Sequence, residues 1–454
     1  MKIAPYPQYK PSGAPPLAQL PANWHFVRGR FVMSVNPTAQ RAAEMLQADE
    51  VSFIPMEAIG EYGGLDLSRS KPLDEIGAGY TAFEEGDVIV AKITPCFENG
   101  KGAVAVGLTN GVGFGTTELH VLRTGVRLDR TFLFYLTISH TFRVLGESEM
   151  YGAGGQKRVP PDFAKNFRVP LPSVDEQREI VRFLDAKTSE IDALLSKKRQ
   201  FVEKLKEERS ALIARTITRG LPPEAAEAVG LKPNSRTRDS GIEWFGVIPA
   251  HWKTTQLKYA TSKIIDCPHE TPQYDPSGQY FVVRTADVDA GTLDLGQAYR
   301  VDETEYLQRI RRGAVLPGDI VYGREGERWG FAALVPEVTT VCLGQRMMQF
   351  RVGKRFAPGF LMWHLNARCV YEQGSLDTAG STAPHVNVQT IRNYQLVEPP
   401  LSEQIEIAAF IDRQVFRIDR TVRQALDVIA RLIEYRQALI TSAVTGKIDV
   451  RGLA

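Results

Sequence analysis

Two long stretches without proline or glycine, placed one repeat apart, constrain this chain more than any other feature. Residues from about Ser173 to Thr218 and from about Ser402 to Thr445 are dominated by strong helix formers. Pro170 and Pro172 precede the first, and Gly220 with Pro222-Pro223 stops it. Pro399-Pro400 and Gly446 frame the second. At an offset of 227 the segments 170–218 and 397–445 agree at 16 of 49 positions. Glu176-Gln177 falls on Glu403-Gln404, Asp185 on Asp412, Ile191-Asp192 on Ile418-Asp419 and Arg209 on Arg436.

Within each stretch apolar residues recur every seven positions. Leu184, Ile191, Leu205 and Leu212, with Leu195 and Val202, mark the first. Ile411, Ile418, Leu432 and Leu439, with Val415, Val422 and Ile429, mark the second. Sustained heptads of this kind predict coiled coil rather than two separate amphipathic helices. At about 1.5 Å per residue each helix would span roughly 65 Å, a spacer dimension. A duplication of this kind predicts antiparallel packing.

The repeat extends beyond the helices. Ser12-Gly13, Pro21 and Trp24 return as Ser240-Gly241, Pro249 and Trp252, and Gly86-Asp87-Val88-Ile89 is matched by Gly318-Asp319-Ile320-Val321. Between these points the copies diverge, so the helices do one job twice while the intervening modules do two. The modules read as α+β: strand-like runs at Asp87–Ile93, Gly102–Val106 and Leu119–Leu122 are answered by Ile320–Tyr322, Phe331–Val335 and Met347–Val352. A helix is expected near Arg130–Leu145 and Pro358–Tyr371. The expected organisation is a segment 1–19 packing near the C-terminal repeat, a module 20–170 and a helix 171–221. A linker 222–247, a second module 248–398 and a closing helix and tail 399–454 complete it.

Composition excludes several function classes. Cys96, Cys267, Cys342 and Cys369 lie far apart with no C-x-x-C spacing, and the seven histidines form no H-x-x-x-H pair. Neither a disulfide framework nor a metal site is expected. No apolar run reaches the roughly 18–20 residues of a membrane span, so cytoplasmic, nucleoid-associated work is the default reading. No phosphate-binding loop, nuclease carboxylate pair or N-P-P-[YF] loop is present; Asn36-Pro37-Thr38 lacks the second proline and the aromatic. The chain is read as non-catalytic.

Polar and basic loops remain as candidate contacts. The first module offers Lys92, Thr94, Asn99, Lys101, Gln156, Lys157 and Arg158. The second offers Arg324, Arg328, Arg346, Ser381, Thr382, His385 and Asn387. Such side chains suit base edges and phosphates, although each taken singly also suits a solvated loop. Trp24 and Trp252 could stack on bases but occupy equivalent places, which favours packing. Arg309, Arg311 and Arg312 read as a solvated face. The net charge of +2 gives no general attraction to nucleic acid.

The block Val159-Pro160, Phe167-Arg168-Val169-Pro170-Leu171-Pro172, Glu176-Gln177, Ile180, Phe183-Leu184-Asp185, closing in Ala211-Leu212-Ile213 and Thr218-Arg219-Gly220-Leu221, resembles type I restriction-modification specificity subunits. So does the ending Ala438-Leu439-Ile440, Ala443-Val444-Thr445-Gly446-Lys447-Ile448-Asp449-Val450. The module starts Tyr9-Lys10-Pro11-Ser12-Gly13 and Asp239-Ser240-Gly241-Ile242-Glu243-Trp244-Phe245-Gly246 resemble the same family, the first departing with Ala14-Pro15-Pro16. The resemblance implies two target-recognition domains, each reading half of an asymmetric site in double-stranded DNA. It implies helices that set the gap and dock two methyltransferase subunits, with translocase-nuclease subunits added. S-adenosylmethionine, ATP and magnesium would belong to those partners, and this chain would carry no cofactor.

Overall fold

The computed structural model describes residues 3–15, 17–76, 79–234, 236–337, 340–378 and 384–453. The chain divides into two units, Met1–Arg199 with Asp427–Ala454, and Gln200–Leu426. Each contains one module, one end of a first long helix (Val174–Arg219) and the opposite end of a second (Leu401–Val444).

In the first unit the strand order Met33–Val35, Leu119–Thr124, Val88–Ala91, Gly102–Val104 gives an antiparallel sheet, with Leu119 opposite Ala91 and Val121 opposite Ile89. A second sheet runs Ser70–Pro72, Glu50–Ile54, Val112–Gly115, Thr81–Glu84, its central pair parallel. Ile54, Phe83, Ile89 and Val121 form the core between them. In the second unit the order Thr261–Asp266, Met347–Val352, Ile320–Gly323, Ala332–Leu334 repeats the first sheet strand for strand. A three-stranded sheet again contains one parallel pair, Tyr280–Val283 with Val341–Leu343.

The Gly-Asp repeat explains this correspondence. Gly86 and Gly318 turn with φ of 90° and 81°, a region that favours glycine. The following aspartate is buried and closes the turn, Asp87 accepting from the Glu84 amide and Asp319 from the Leu316 amide, both at 2.8 Å. An arginine from the neighbouring strand then grips each carboxylate through two nitrogens, Arg123 on Asp87 and Arg351 on Asp319. The turn is therefore a structural lock.

The helix expected in each module is in fact two. Arg130–Thr137 gives way to His140–Ser148 because the Ser139 hydroxyl accepts from the Phe142 amide and starts a new helix. Pro358–Leu365 gives way to Arg368–Ser375 where Asn366 turns its amide onto the Ala332 carbonyl.

The two long helices pack antiparallel. In the first unit Asp192 of the first helix meets Arg436 of the second; in the second unit Arg209 meets Asp419. Of the heptad residues, Leu184, Ile191, Leu195, Val202, Ile411, Val415, Ile429 and Leu439 are buried, and Leu205, Leu212, Ile418, Val422 and Leu432 are half-buried.

Candidate nucleic-acid interface

Each long helix first secures its own module through three polar residues of the repeat. Glu176 accepts from Trp24 Nε1 at 3.0 Å, Tyr6 Oη at 2.9 Å and Asn23 Nδ2 at 2.9 Å. Glu403 accepts from Trp252 Nε1 at 3.1 Å and meets His251 Nε2 at 2.9 Å. Both tryptophans are buried and pack, so neither is offered to a ligand. Gln177 accepts from the Asp129 amide and donates to the Arg127 and Pro172 carbonyls, while Gln404 accepts from Ala357 and donates to Arg355 and Pro399. Asp185 takes the Tyr135 hydroxyl at 2.6 Å, and Asp412 takes Trp363 Nε1 at 2.7 Å. Burial and the Asp185 carboxylate push the Tyr135 hydroxyl well above the usual tyrosine range.

Held in this way, each module brings its candidate loops together. In the first, the segment after Val88–Ala91 is zipped to residues 157–159. The Thr94 amide donates to the Lys157 carbonyl at 3.0 Å, and the Val159 amide to Lys92 at 2.8 Å. In the second, the Val386 amide donates to Arg324, the Gly326 amide to Pro384 and the Arg324 amide to Arg346. The bridges Ile93 with Arg158 and Glu325 with His385 occupy corresponding places.

The side chains divide into two groups. Arg158 is bound through Nε and Nη2 to Glu118 at 2.9 and 2.8 Å, which holds that carboxyl below its usual range. Thr94 donates to Glu98, Asn99 to Glu61, and Lys101 to the Met56 carbonyl. Arg324 is buried against Asp266 and Glu325, and Arg328 reaches the Val288 carbonyl at 3.2 Å and Asp289 at 3.5 Å. Asn387 caps a short helix by accepting from the Gln389 amide. These residues shape the loops. Lys92, Gln156, Lys157, Arg346 and His385 have no side-chain hydrogen bond or ion pair among the described residues, and all but the half-buried Lys92 are exposed. Ser381 and Thr382 lie outside the described residues.

One further expectation changes. Arg309 is buried, not solvated, donating to Glu305, the Leu343 carbonyl and the Glu270 carbonyl. Its i,i+4 spacing from Glu305 was the available signal. Asp266, Cys267 and His269 converge with ligand atoms within 4.8 Å of one another, a cluster that no C-x-x-C or H-x-x-x-H spacing announces. The Arg324 guanidinium lies 3.2 Å from Asp266 Oδ2 and supplies the positive charge there, while burial pushes the Cys267 thiol up to about 11.

The fold and these loops define a class: a duplicated chain of two α+β modules, each pinned to antiparallel helices and each presenting its own loop set. Its homologues are specificity subunits of type I restriction enzymes. The chain is 41% identical over 168 residues to the EcoAI specificity subunit of Escherichia coli, covering 36% of this chain and 28% of that protein. It is 39% identical over 165 residues to the EcoEI subunit of the same species, covering 36% and 27%. The matched stretches thus span under a third of these relatives. The MjaVIII specificity subunit of Methanocaldococcus jannaschii is 20% identical over 454 residues, covering 96% and 95%. The fold is shared with a chain from a structure of type I R-M complex assembly and conformational transition, with a TM-score of 0.70, 18% identity and 94% and 99% coverage. The HsdS subunit from Thermoanaerobacter tengcongensis gives a TM-score of 0.50 at 18% identity, covering 94% and 98%. No protein-family model matches the chain. Among the described residues no helix is long and apolar enough to cross a membrane.

Proposed function

We propose that this chain is the DNA-recognition subunit of a type I restriction-modification complex, working at the nucleoid. The module 20–170 reads one half of a bipartite asymmetric site and the module 248–398 reads the other. The helices 171–221 and 399–454 set the separation and dock two methyltransferase subunits. Translocase-nuclease subunits join that assembly. S-adenosylmethionine, ATP and magnesium act in the partners, and this chain supplies the address.

One observation carries the reading. The same strand-loop framework, locked by Asp87 with Arg123 and by Asp319 with Arg351, displays different free side chains in the two copies. Lys92, Gln156 and Lys157 stand on one, Arg346 and His385 on the other. Amide and guanidinium groups on a rigid frame suit base edges, and ammonium groups suit phosphates. Partner subunits share the phosphate contacts that dominate affinity, which accommodates a net charge of only +2.

The test is to exchange residues 20–170 for the module of a relative and sequence the methylated genome. One half of the modified site should change and the other persist; a change in both halves would refute independent reading. A specificity subunit serving a methyltransferase without a translocase differs only in lacking ATP-dependent cleavage in the same assay.

A further inference from the structure

The second long helix carries a row of arginines that the duplication does not explain. Arg413, Arg417, Arg420 and Arg423 are all exposed, and none of their guanidinium groups has a hydrogen-bond or ion-pair partner among the described residues. At 100° per residue the four fall within an arc of roughly 120°, over about 15 Å of helix. That arc lies opposite the buried Ile411 and Val415 and the half-buried Val422. The acids in the interval point elsewhere: Asp412 holds Trp363 Nε1 at 2.7 Å and Asp419 holds Arg209 Nε at 3.0 Å. Phe416, 62% exposed, falls within the same arc.

The first helix does not carry this row at its equivalent positions. At the offset of 227 its corresponding residues are Ala186, Glu190, Ala193 and Ser196, all exposed. Two identical subunits docking through the repeat require features present in both copies, and this row exists in one. The row therefore makes its contact once, and four exposed guanidinium groups within one arc call for a densely anionic ligand. Duplex DNA is such an anion, carrying one phosphate charge per ~1.7 Å of axis, and its uniform backbone can be met from one helix alone. The second unit also links its recognition loops to the row through a continuous chain of bonded residues. Arg328 binds Val288 and Asp289, the adjoining Ala290 carbonyl accepts from Arg209 at 2.7 Å, and Arg209 binds Asp419, the neighbour of Arg420.

We propose that Arg413, Arg417, Arg420 and Arg423 bind the phosphate backbone of the unread DNA between the half-sites. This rests on the recognition reading and adds a sequence-independent clamp confined to one helix. The planar guanidinium, always charged, suits phosphate oxygens that it can meet through two N–H groups.

The test compares the full chain, assembled with its methyltransferase subunits, with variants in which all four residues become Gln or all four become Lys. Affinity for a 40-bp duplex carrying the methylated site is measured from low to high salt. The Gln variant should bind roughly tenfold or more weakly at low salt, with a log–log salt slope flatter by about 0.9 for each phosphate no longer neutralised. Its methylated sequence should be unchanged, and the Lys variant should restore most of the slope. Wild-type affinity and slope in the Gln variant would overturn the clamp, as would dissociation of methyltransferase subunits from the purified assembly with the slope per complex intact. A wild-type complex without sequence preference would instead refute the recognition reading, and the slopes on arbitrary duplex would still decide the clamp. Poor folding of the Gln variant leaves the Lys variant and single Gln replacements to measure the slope.

Discussion

Arg436 grips both oxygens of Asp192 on the opposite helix, at 3.1 and 3.2 Å, with its guanidinium 4.9 Å over the Tyr62 ring. The repeat places Arg209 against Asp419 through a single bond from Nε at 3.0 Å, its Nη2 going to the Ala290 carbonyl, with the guanidinium 5.8 Å over Trp363. One arginine per unit thus ties a module to both long helices. The pairs differ in exposure: the Arg436 side chain is 9% exposed and Arg209 20%. Removing Asp192 leaves a buried cation with only its ring neighbour, whereas Arg209 without Asp419 keeps the Ala290 carbonyl and some water. A double-mutant cycle should therefore give about 1–2 kcal/mol of coupling for Arg436 with Asp192 and below about 1 kcal/mol for Arg209 with Asp419. Hydrogen exchange of each unit in urea measures both. Equal couplings would contradict the burial argument.

The glycines that end the two helices look interchangeable in sequence and are not so in structure. Gly220 and Gly446 both have positive φ, 81° and 71°, so alanine costs either site roughly 1 kcal/mol in backbone strain. At Gly446 an added Cβ would also lie 2.6 Å from two atoms of the Pro21 ring, which cannot swing aside. At Gly220 the crowding atom is the movable end of Asn234. Gly446→Ala should lower the melting temperature of the first unit well beyond the effect of Gly220→Ala on the second. A reversed order would mean that the Pro21 segment yields.

The division of the loop residues predicts opposite phenotypes for similar substitutions. Arg158→Ala breaks a two-nitrogen bond to Glu118 and Arg324→Ala strands Asp266 beside Glu325, so both should destabilise their modules, as proteolysis would report. Arg346→Ala and Lys157→Ala remove groups with no bonded partner and should leave stability within about 0.5 kcal/mol of the parent. On the recognition reading, Arg346→Ala should weaken site binding by about 1–3 kcal/mol if it meets a base, with relaxed choice at one position. Lys157→Ala should weaken all sequences alike if it meets phosphate. Loss of folding in Arg346→Ala would remove it from the interface.

How far the sequence could be read follows from what makes each feature periodic. The helices were legible to within two residues because heptads, prolines and the closing glycines are local signals. Glu176-Gln177 and Glu403-Gln404 were visible as a repeat, but their partners Trp24, Asp129, Trp252 and Ala357 lie far off in the chain, in chemistry that no local spacing encodes. The break at Ser139 escaped because its capping hydroxyl sits inside an otherwise helical run. Candidate loop residues were found by type alone, and type does not say whether an arginine faces Glu118 or solvent. Arg158 and Arg346 look alike until Glu118 is folded against one of them.

His364 gives a test by pH. It is fully buried, accepts from the Val397 amide through Nε2 at 3.0 Å, and stands among the rings of Phe245 and Phe360 at 5.8 and 5.9 Å. Burial disfavours the imidazolium and brings the pKa down from 6.5 to about 4. In the unfolded chain the ring protonates near 6.5, so above that pH both states are neutral and the residue costs nothing. As pH falls through that value toward 4, the unfolded state takes up a proton that the folded state refuses, and stability is lost. The loss approaches about 3 kcal/mol by pH ~4, at roughly 1.4 kcal/mol per pKa unit. His364→Gln keeps an acceptor for the Val397 amide and does not titrate. The second unit of that variant should lose less stability between about pH 6.5 and about pH 4.5 than the parent, while the first unit loses the same amount in both. Parallel pH profiles for the second unit would show that His364 protonates in place, with the Val397 amide finding another acceptor.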